Sequence, residues 1–396
     1  MNSETSKPRL LIVLSRFPYP LEKGDKLRAY YQIRALSKNY RIHLFCLTEE
    51  NVSTSQVEHL KDFCENILWH TLSKSGIYLR VLLNIFGSFP FQVAYFNSNA
   101  AKKQLNQLID SVKPDHVYCQ LIRTTELIKN YHVCPKTLDF MDALSVGMER
   151  RASRAKGIKR MLFREEARRL RDYERRIFNY FENHTIISKQ DLYHISHPEQ
   201  KNIVVIPNGI DELFFEDKPT PKEFDLVFVG NLSYAPNIEA ALFLINELLP
   251  RLPGRSLLIA GATPSVEILK HAKQSENVFV SGWTEDIRES YRKGKIFIAS
   301  MFIGTGMQNK LLEAMALGIP CITTSLASNA IQSENKVHLL VADDVVSMVE
   351  AVHLLEKNKE IKEQLVNNAQ KFVRDKYSWD RSAQQIHSLM SGLQEE

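Results

Sequence analysis

The 396-residue chain has no Cys-x-x-Cys pair, and its five cysteines, at 46, 64, 119, 134 and 321, lie far apart. That spacing argues against a disulfide scaffold and a zinc site, and a reducing cytoplasm is the expected home. No run of about 18 apolar residues occurs, so no spanning helix is expected. The opening run LLIVL before Ser15 is too short for a signal-peptide core. The sequence suggests no metal-ligand cluster, and no nucleic-acid module accompanies its basic stretches.

What is present is a globular composition, 44% hydrophobic and 24% charged, over a length that suits two or three domains. Charge is divided unevenly. Residues 1–205 carry 32 Lys+Arg against 21 Asp+Glu (+11), and the rest 19 against 25 (−6), which together give the overall +5. The basic half suits a negative partner, and an anionic membrane surface is expected rather than nucleic acid.

Short apolar runs alternate with helical patterns through both halves, which predicts an α/β protein. In the first half the runs are PRLLIVLS (8–15), RIHLFCLT (41–48), DHVYCQL (115–121), PKTLDFMD (135–142), HTIISK (184–189) and NIVVIPNGID (202–211). The fourth ends in a carboxylate pair, Asp139 and Asp142, at the strand end where an open sheet binds ligands; an N-cap role for Asp142 is the alternative. The loop from Arg16 to Lys26 is long for a first βα connection. GIYLRVLLNIFGSFPFQVAYF (76–96) reads as a helix and turn lining a cleft. From Glu149 to Tyr180 the chain is densely basic, with Phe163, Ala167, Leu170, Tyr173 and Ile177 at helical spacing. Arg168, Arg169 and Arg171 are the expected lipid contacts there, with ion pairing to Glu165 and Glu166 as the alternative.

The polar, Pro-rich stretch after Asn208-Gly209 predicts an interdomain linker over 206–224. A first domain over 1–205, a second over 225–375 and a returning helix over 376–396 are expected. In the second domain DLVFVGNLSYAPN, RSLLIAG and NVFVSG each place a glycine just past an apolar run. Gly304 to Pro320, GTGMQNKLLEAMALGIP, lies between the strand patterns KIFIASM and CITTS. Gly304 and Gly306 allow a tight turn, and a helix over about Met307 to Leu317 directs its unpaired N–H groups into the same space. An anion, most often a phosphate, belongs there. Leu311, Leu312, Met315 and Ala316 form the packing face, leaving Asn309, Lys310 and Glu313 toward the loop; a Lys310–Glu313 surface ion pair is the plainer alternative.

This segment resembles the donor-binding signature of the retaining glycosyltransferases of family 4, in which two glutamates with seven residues between them precede a small-residue helix and Gly-x-Pro. Its wording is closest to the bacterial sugar transferases associated with exopolysaccharide clusters. Glu313 matches the second glutamate, and Thr305 stands in place of the first. The resemblance implies the GT-B architecture, two Rossmann-like domains facing across a cleft. It further implies sugar transfer from a nucleotide-sugar donor to a glycan or lipid-linked acceptor, with retention and with no metal or other cofactor. Lys310 and Glu313 would be catalytic, and Gly304, Thr305, Gly306, Met307, Gln308, Asn309, Gly230, Asn231, Asn208 and Arg16 would surround the donor. Gly24, Asp25, Lys26 and Asp142 would serve acceptor or phosphate. The family's diphosphate-binding Arg and Lys are replaced by Asn231 and Pro236, so Lys310, Arg16 and the helix N-terminus are the candidate charges. A nucleotide-sugar epimerase or hydrolase of this fold, or a non-catalytic subunit, stays open as an alternative.

Overall fold

The protein is described by a computed structural model over residues 7–302 and 307–392. It divides into two units, Met1–Pro207 with Trp379–Glu396, and Asn208–Ser378. Among the described residues the first unit has seven parallel strands: β1 (Arg9–Leu14), β2 (Arg41–Thr48), β3 (Asn66–Thr71), β4 (His116–Gln120), β5 (Lys136–Asp139), β6 (Asn183–Ile186) and β7 (Val204–Val205), in the order β3-β2-β1-β4-β5-β6-β7. The pleat sends Leu10, Ile12 and Leu14 into one core cluster and Leu11 and Val13 into another. Both faces of β1 are therefore buried, as a parallel sheet flanked by helices requires.

One charged pair lies inside this core. Arg28, on the helix Gly24–Leu36, donates from Nε to Asp139 Oδ2 at 2.7 Å with both side chains fully buried. Tyr118 Oη and Thr185 Oγ1 donate to the same carboxylate at 2.9 and 3.0 Å, and Met141 N–H at 3.2 Å. The carboxylate tolerates burial because its lone pairs are filled.

The second unit has six parallel strands among the described residues: β8 (Phe224–Val229), β9 (Leu257–Ala260), β10 (Val278–Gly282), β11 (Gly294–Ala299), β12 (Cys321–Thr323) and β13 (Leu340–Val341), in the order β10-β9-β8-β11-β12-β13. Gly261, at φ +142°, follows β9 so closely against the next loop that a Cβ there would lie 1.8 Å from Gly230 O. The helix after β11 is shorter than expected, Asn309–Ala316, and leaves Met307 and Gln308 in the loop. Gly318, at φ +70°, stops it.

The chain passes between the units at Pro207/Asn208, so most of the expected 206–224 linker lies on the second unit. Ile210 bridges to Ser378, and Asp211 caps the turn Glu212–Phe215 through Leu213 N–H at 2.8 Å. Polar, Pro-rich composition marks a loop but cannot say on which body the loop lies. The return falls at Ser378/Trp379. The final helix, Trp379–Ser391, joins the first unit, stacking Trp379 on Tyr31 with ring centroids 5.0 Å apart and pairing His387 Nδ1 with Tyr40 Oη at 2.8 Å.

Candidate functional site

In the second unit β8 lies between β9 and β11, so the winding of the sheet reverses there. The carboxyl ends of such strands open a crevice where ligands enter α/β sheets. Two helices start at this point, Ala235–Phe243 after β8 and Asn309–Ala316 after β11. Ser300 Oγ donates to Ala240 O at 3.1 Å and ties the end of β11 to the first of them.

Lys310 spans the gap. Its ammonium donates to Asn237 Oδ1, lies 3.7 Å from Met301 Sδ, and sits 5.2 Å from the centre of the Phe228 ring. Asn237 is oriented in turn by donating from Nδ2 to Asn231 O at 2.8 Å. Burial pushes the Lys310 ammonium down to about 8, against the opposing pull of Glu313. Glu313 is one turn further along and accepts from Tyr291 Oη at 2.7 Å through Oε2; the same hydroxyl lies 3.2 Å from Lys310 O. Burial raises the Glu313 carboxyl, opposed by the Tyr291 hydrogen bond and the Lys310 charge. Each group is held by a neutral partner, so the expected alternative of a Lys310–Glu313 surface ion pair gives way to two separately anchored charges.

At the helix start, Asn309 Oδ1 is buried with no hydrogen-bond partner among the described residues. Met307 and Gln308 are half-buried before it. Gly304, Thr305 and Gly306 lie outside the described residues. An ammonium, the N–H groups that open a helix and a carboxylate one turn on can together hold an anion and a hydroxyl-bearing group beside it.

The remaining expected donor residues are less uniform. Gly230 faces Asn237, whose Nδ2 would be 2.8 Å from a Cβ there. The Asn231 side chain is turned inward on its own loop, accepting from Ser233 N–H and Oγ at 3.0 and 2.7 Å. Asn208 is buried at the first position of the second unit. Arg16 belongs to the first unit, where its Nη1 pairs with Asp25 Oδ2 at 2.5 Å. It lines a cavity of about 190 Å³ with Tyr19, Glu22, Lys26 and Glu49. Gly24 is the exposed first residue of its helix, with open space beside its Cα.

The expected carboxylate pair is divided. Asp139 is consumed by Arg28, whereas Asp142 is exposed and caps nothing, since Ala143 holds the N-cap position of the helix Leu144–Arg154. Although Asp142 reaches solvent, the atoms crowded around it strip part of its hydration and, with Asp191 and Asp139 nearby, raise it to about 6 despite Arg28 and Arg123. At the expected lipid contacts the structure shows ion pairing and burial. Arg168 pairs with Glu165 and Asp172, Arg171 with Glu149, and Arg169 is buried. Asn237, Tyr291 and Phe228 were not foreseen, and only Asn237, beside the helix-starting Pro236, carries a local signal of its position.

Residues 223–358 match the family model described as Glycosyl transferases group 1. The fold of the whole chain is similar to that of Anabaena HepE in complex with UDP-glucose, with a TM-score of 0.69 at 12% identity over 97% of this chain and 100% of that one. The chain is a GT-B glycosyltransferase. An uncharacterised 44.6 kDa protein in the cps region of Klebsiella pneumoniae is 23% identical to this glycosyltransferase over 390 residues, 93% of this chain and 96% of the other. The Escherichia coli UDP-Gal:alpha-D-GlcNAc-diphosphoundecaprenol alpha-1,3-galactosyltransferase is 27% identical over 173 residues, 38% of this chain and 44% of the other. Lys310, Glu313, Asn237 and Tyr291 of the glycosyltransferase all fall inside the segment that matches the family model.

Proposed function

We propose that this glycosyltransferase is a retaining enzyme of family 4 that moves a sugar from a nucleotide-sugar donor, held by the second unit, to a glycan or lipid-linked acceptor during bacterial cell-surface polysaccharide synthesis. The observation that carries the reading is the desolvated Lys310 ammonium at the reversal of the sheet, with Glu313 one turn away. The donor diphosphate lies against Lys310 and the N–H groups opening the Asn309 helix, and Glu313 accepts from the ribose hydroxyls.

In the transfer step the bond from anomeric carbon to diphosphate oxygen breaks. The acceptor oxygen bonds to that carbon on the same face, and its proton passes to the departing diphosphate. No protein nucleophile or metal is required. Lys310 opposes the charge that grows on the leaving group, in a site where low solvation strengthens the interaction. Lys310 meets Asn237, the residue after Pro236, so a cation arrives from the opposite helix close to where the family's own lysine is replaced.

HepE was solved with UDP-glucose, and the E. coli relative acts on UDP-Gal and a diphosphoundecaprenol-linked sugar. Both names support a uridine-based donor, and the second supports a polyprenyl-linked acceptor at the inner face of the membrane. Calorimetry with UDP-glucose, UDP-galactose and their N-acetylated forms, followed by turnover with polyprenyl-diphosphate sugars, tests the reading. Donor binding with acceptor-dependent release of nucleotide is expected. Equal nucleotide release without acceptor would make the protein a hydrolase, and absence of donor binding would remove the catalytic assignment.

A further inference from the structure

The helix Lys74–Leu83 has one buried residue, Ile77, where an amphipathic helix ordinarily buries a stripe. Tyr78, Leu79, Leu82 and Leu83 stand 56–74% exposed, and in the following turn Ile85 is 47% and Phe86 97% exposed. An apolar cluster of this kind marks an interaction surface. The turn is braced from below. Asn84 Nδ2 donates to Phe89 O at 2.7 Å, and buried Arg169 donates to Asn84 O and Ile85 O at 2.9 and 3.1 Å while Glu165 holds its Nε at 2.7 Å.

Arg169 belongs to the helix Gly157–Ile177, whose first turns are also exposed and apolar: Ile158 at 74%, Met161 at 65% and Leu162 at 48%. Ile158, Leu162, Glu165 and Arg169 follow at steps of four, three and four, so they share one helix stripe. The same stripe that braces the turn therefore carries apolar side chains onward for about 16 Å, at 1.5 Å per residue.

Charge decides what covers this surface. Lys156, Lys159, Arg160 and Arg164 are exposed and, among the described residues, their side chains make no ion pair or hydrogen bond. No Asp or Glu occurs from 66 to 109 or from 150 to 164. Among the described residues no helix is long and apolar enough to cross a membrane. Free cations and exposed apolar side chains, with the neighbouring Glu165 already paired to Arg168 and Arg169, complement an anionic interface with an acyl layer beneath it.

We propose that the first unit docks on an anionic phospholipid bilayer by inserting the 78–86 helix end and turn, with Phe86 at the tip, while Lys156, Lys159, Arg160 and Arg164 meet the headgroups. This contact is independent of the donor site. Its test needs no nucleotide sugar. Flotation of the full-length protein is measured with phosphatidylcholine vesicles, with and without phosphatidylglycerol, at low and high salt.

Wild type should float with the anionic vesicles and retain part of that binding at high salt. Leu83→Asp/Phe86→Asp should lower the partition coefficient at least about tenfold, and Lys159→Glu/Arg160→Glu should abolish the preference for anionic lipid. Far-UV circular dichroism and the thermal midpoint should be unchanged in both, because every substituted side chain is exposed. No wild-type flotation would overturn the proposal. Loss in the charge variant alone would overturn the inserted tip. A concentration-dependent dimer that Phe86→Asp dissociates, with vesicle binding unchanged, would assign the surface to a second copy of this chain. Misfolding of the double variant would be resolved by Phe86→Trp, whose emission should shift to the blue on vesicle addition; an unshifted spectrum would overturn insertion.

Discussion

Lys310 Nζ donates to Asn237 Oδ1 and so links the helix after β11 to the helix after β8, across the place where the strand order reverses. An ammonium has three donors. Asn237 and the sulfur of Met301 accept from it without carrying charge. The site therefore presents a desolvated positive charge at the start of a helix, and an anionic ligand would complete it.

Lys310→Ala should lower turnover by about 10²- to 10³-fold while weakening donor affinity less, because the charge it opposes grows as the sugar departs. Asn237→Ala should give a smaller loss in the same direction by releasing the ammonium from its fixed position. Calorimetry and steady-state kinetics on the same preparations check this. Equal losses in affinity and turnover would place Lys310 in ground-state binding alone.

Glu313→Gln should weaken free nucleotide and nucleotide sugar alike by about one to two decades, the size of one or two charge-assisted hydrogen bonds. Tyr291→Phe leaves Glu313 charged but unoriented and should cost less affinity. A Glu313→Gln variant that binds nucleotide as wild type does would remove the ribose assignment.

The lowered Lys310 value gives a pH signature with two opposite signs. The ligand-binding form is protonated and is lost as pH rises through about 8, so donor affinity should fall above that pH by up to about tenfold per unit. Between about 8 and the ordinary 10.5 the unfolded chain holds more protons on this lysine than the folded one, so its contribution makes stability rise with pH there. Lys310→Arg, charged throughout, should flatten the affinity profile. Calorimetric titrations from pH 7 to about 9.5 check both slopes, and an unchanged slope in the Arg variant would show that another group titrates.

Asp139→Asn or Arg28→Met should destabilise the protein by about 3–5 kcal/mol, because each leaves a fully buried charge without its partner. Arg28→Met/Asp139→Leu should be less destabilised than either single variant. Denaturant melts of the three decide it, and additive losses would show that the pair acts as two independent contacts.

Gly261→Ala should destabilise the second unit by about 2–4 kcal/mol and weaken donor binding, since the added methyl group meets Gly230 O at the rim of the sheet. The thermal midpoint of the donor-free protein reports the first effect and calorimetry the second. A wild-type midpoint would mean that the loops after β8 and β9 part freely.

Much of the fold was legible because its signal is local. A strand buried on both faces is a continuous apolar run, as in LLIVL of β1 or LVFV of β8, and a helix over it repeats apolar residues at three and four. Strand β3, NILWHT, is half-buried and mixes Asn66 and His70 with its apolar residues, so no run announces it. The motif from Gly304 to Pro320 pointed to a ligand-binding helix from its glycines and its resemblance alone, and Lys310 and Glu313 could be named from helical phase.

Their partners could not. Asn237 is 73 residues from Lys310 and Tyr291 is 22 from Glu313, and only the sheet order brings each pair together. Sequence alone left the Arg168 to Arg171 charges between a docking face and ion pairing along their own helix; Arg168 pairs locally with Glu165 and Asp172, whereas only packing brings Glu149 to Arg171. It offered two carboxylates at 139 and 142, of which the fold buries one against Arg28. Composition and periodicity therefore determined most of the elements that form, because those depend on neighbours in the chain. Which charges remain available for chemistry was decided by tertiary structure, because a side chain is free only when no distant group has reached it first.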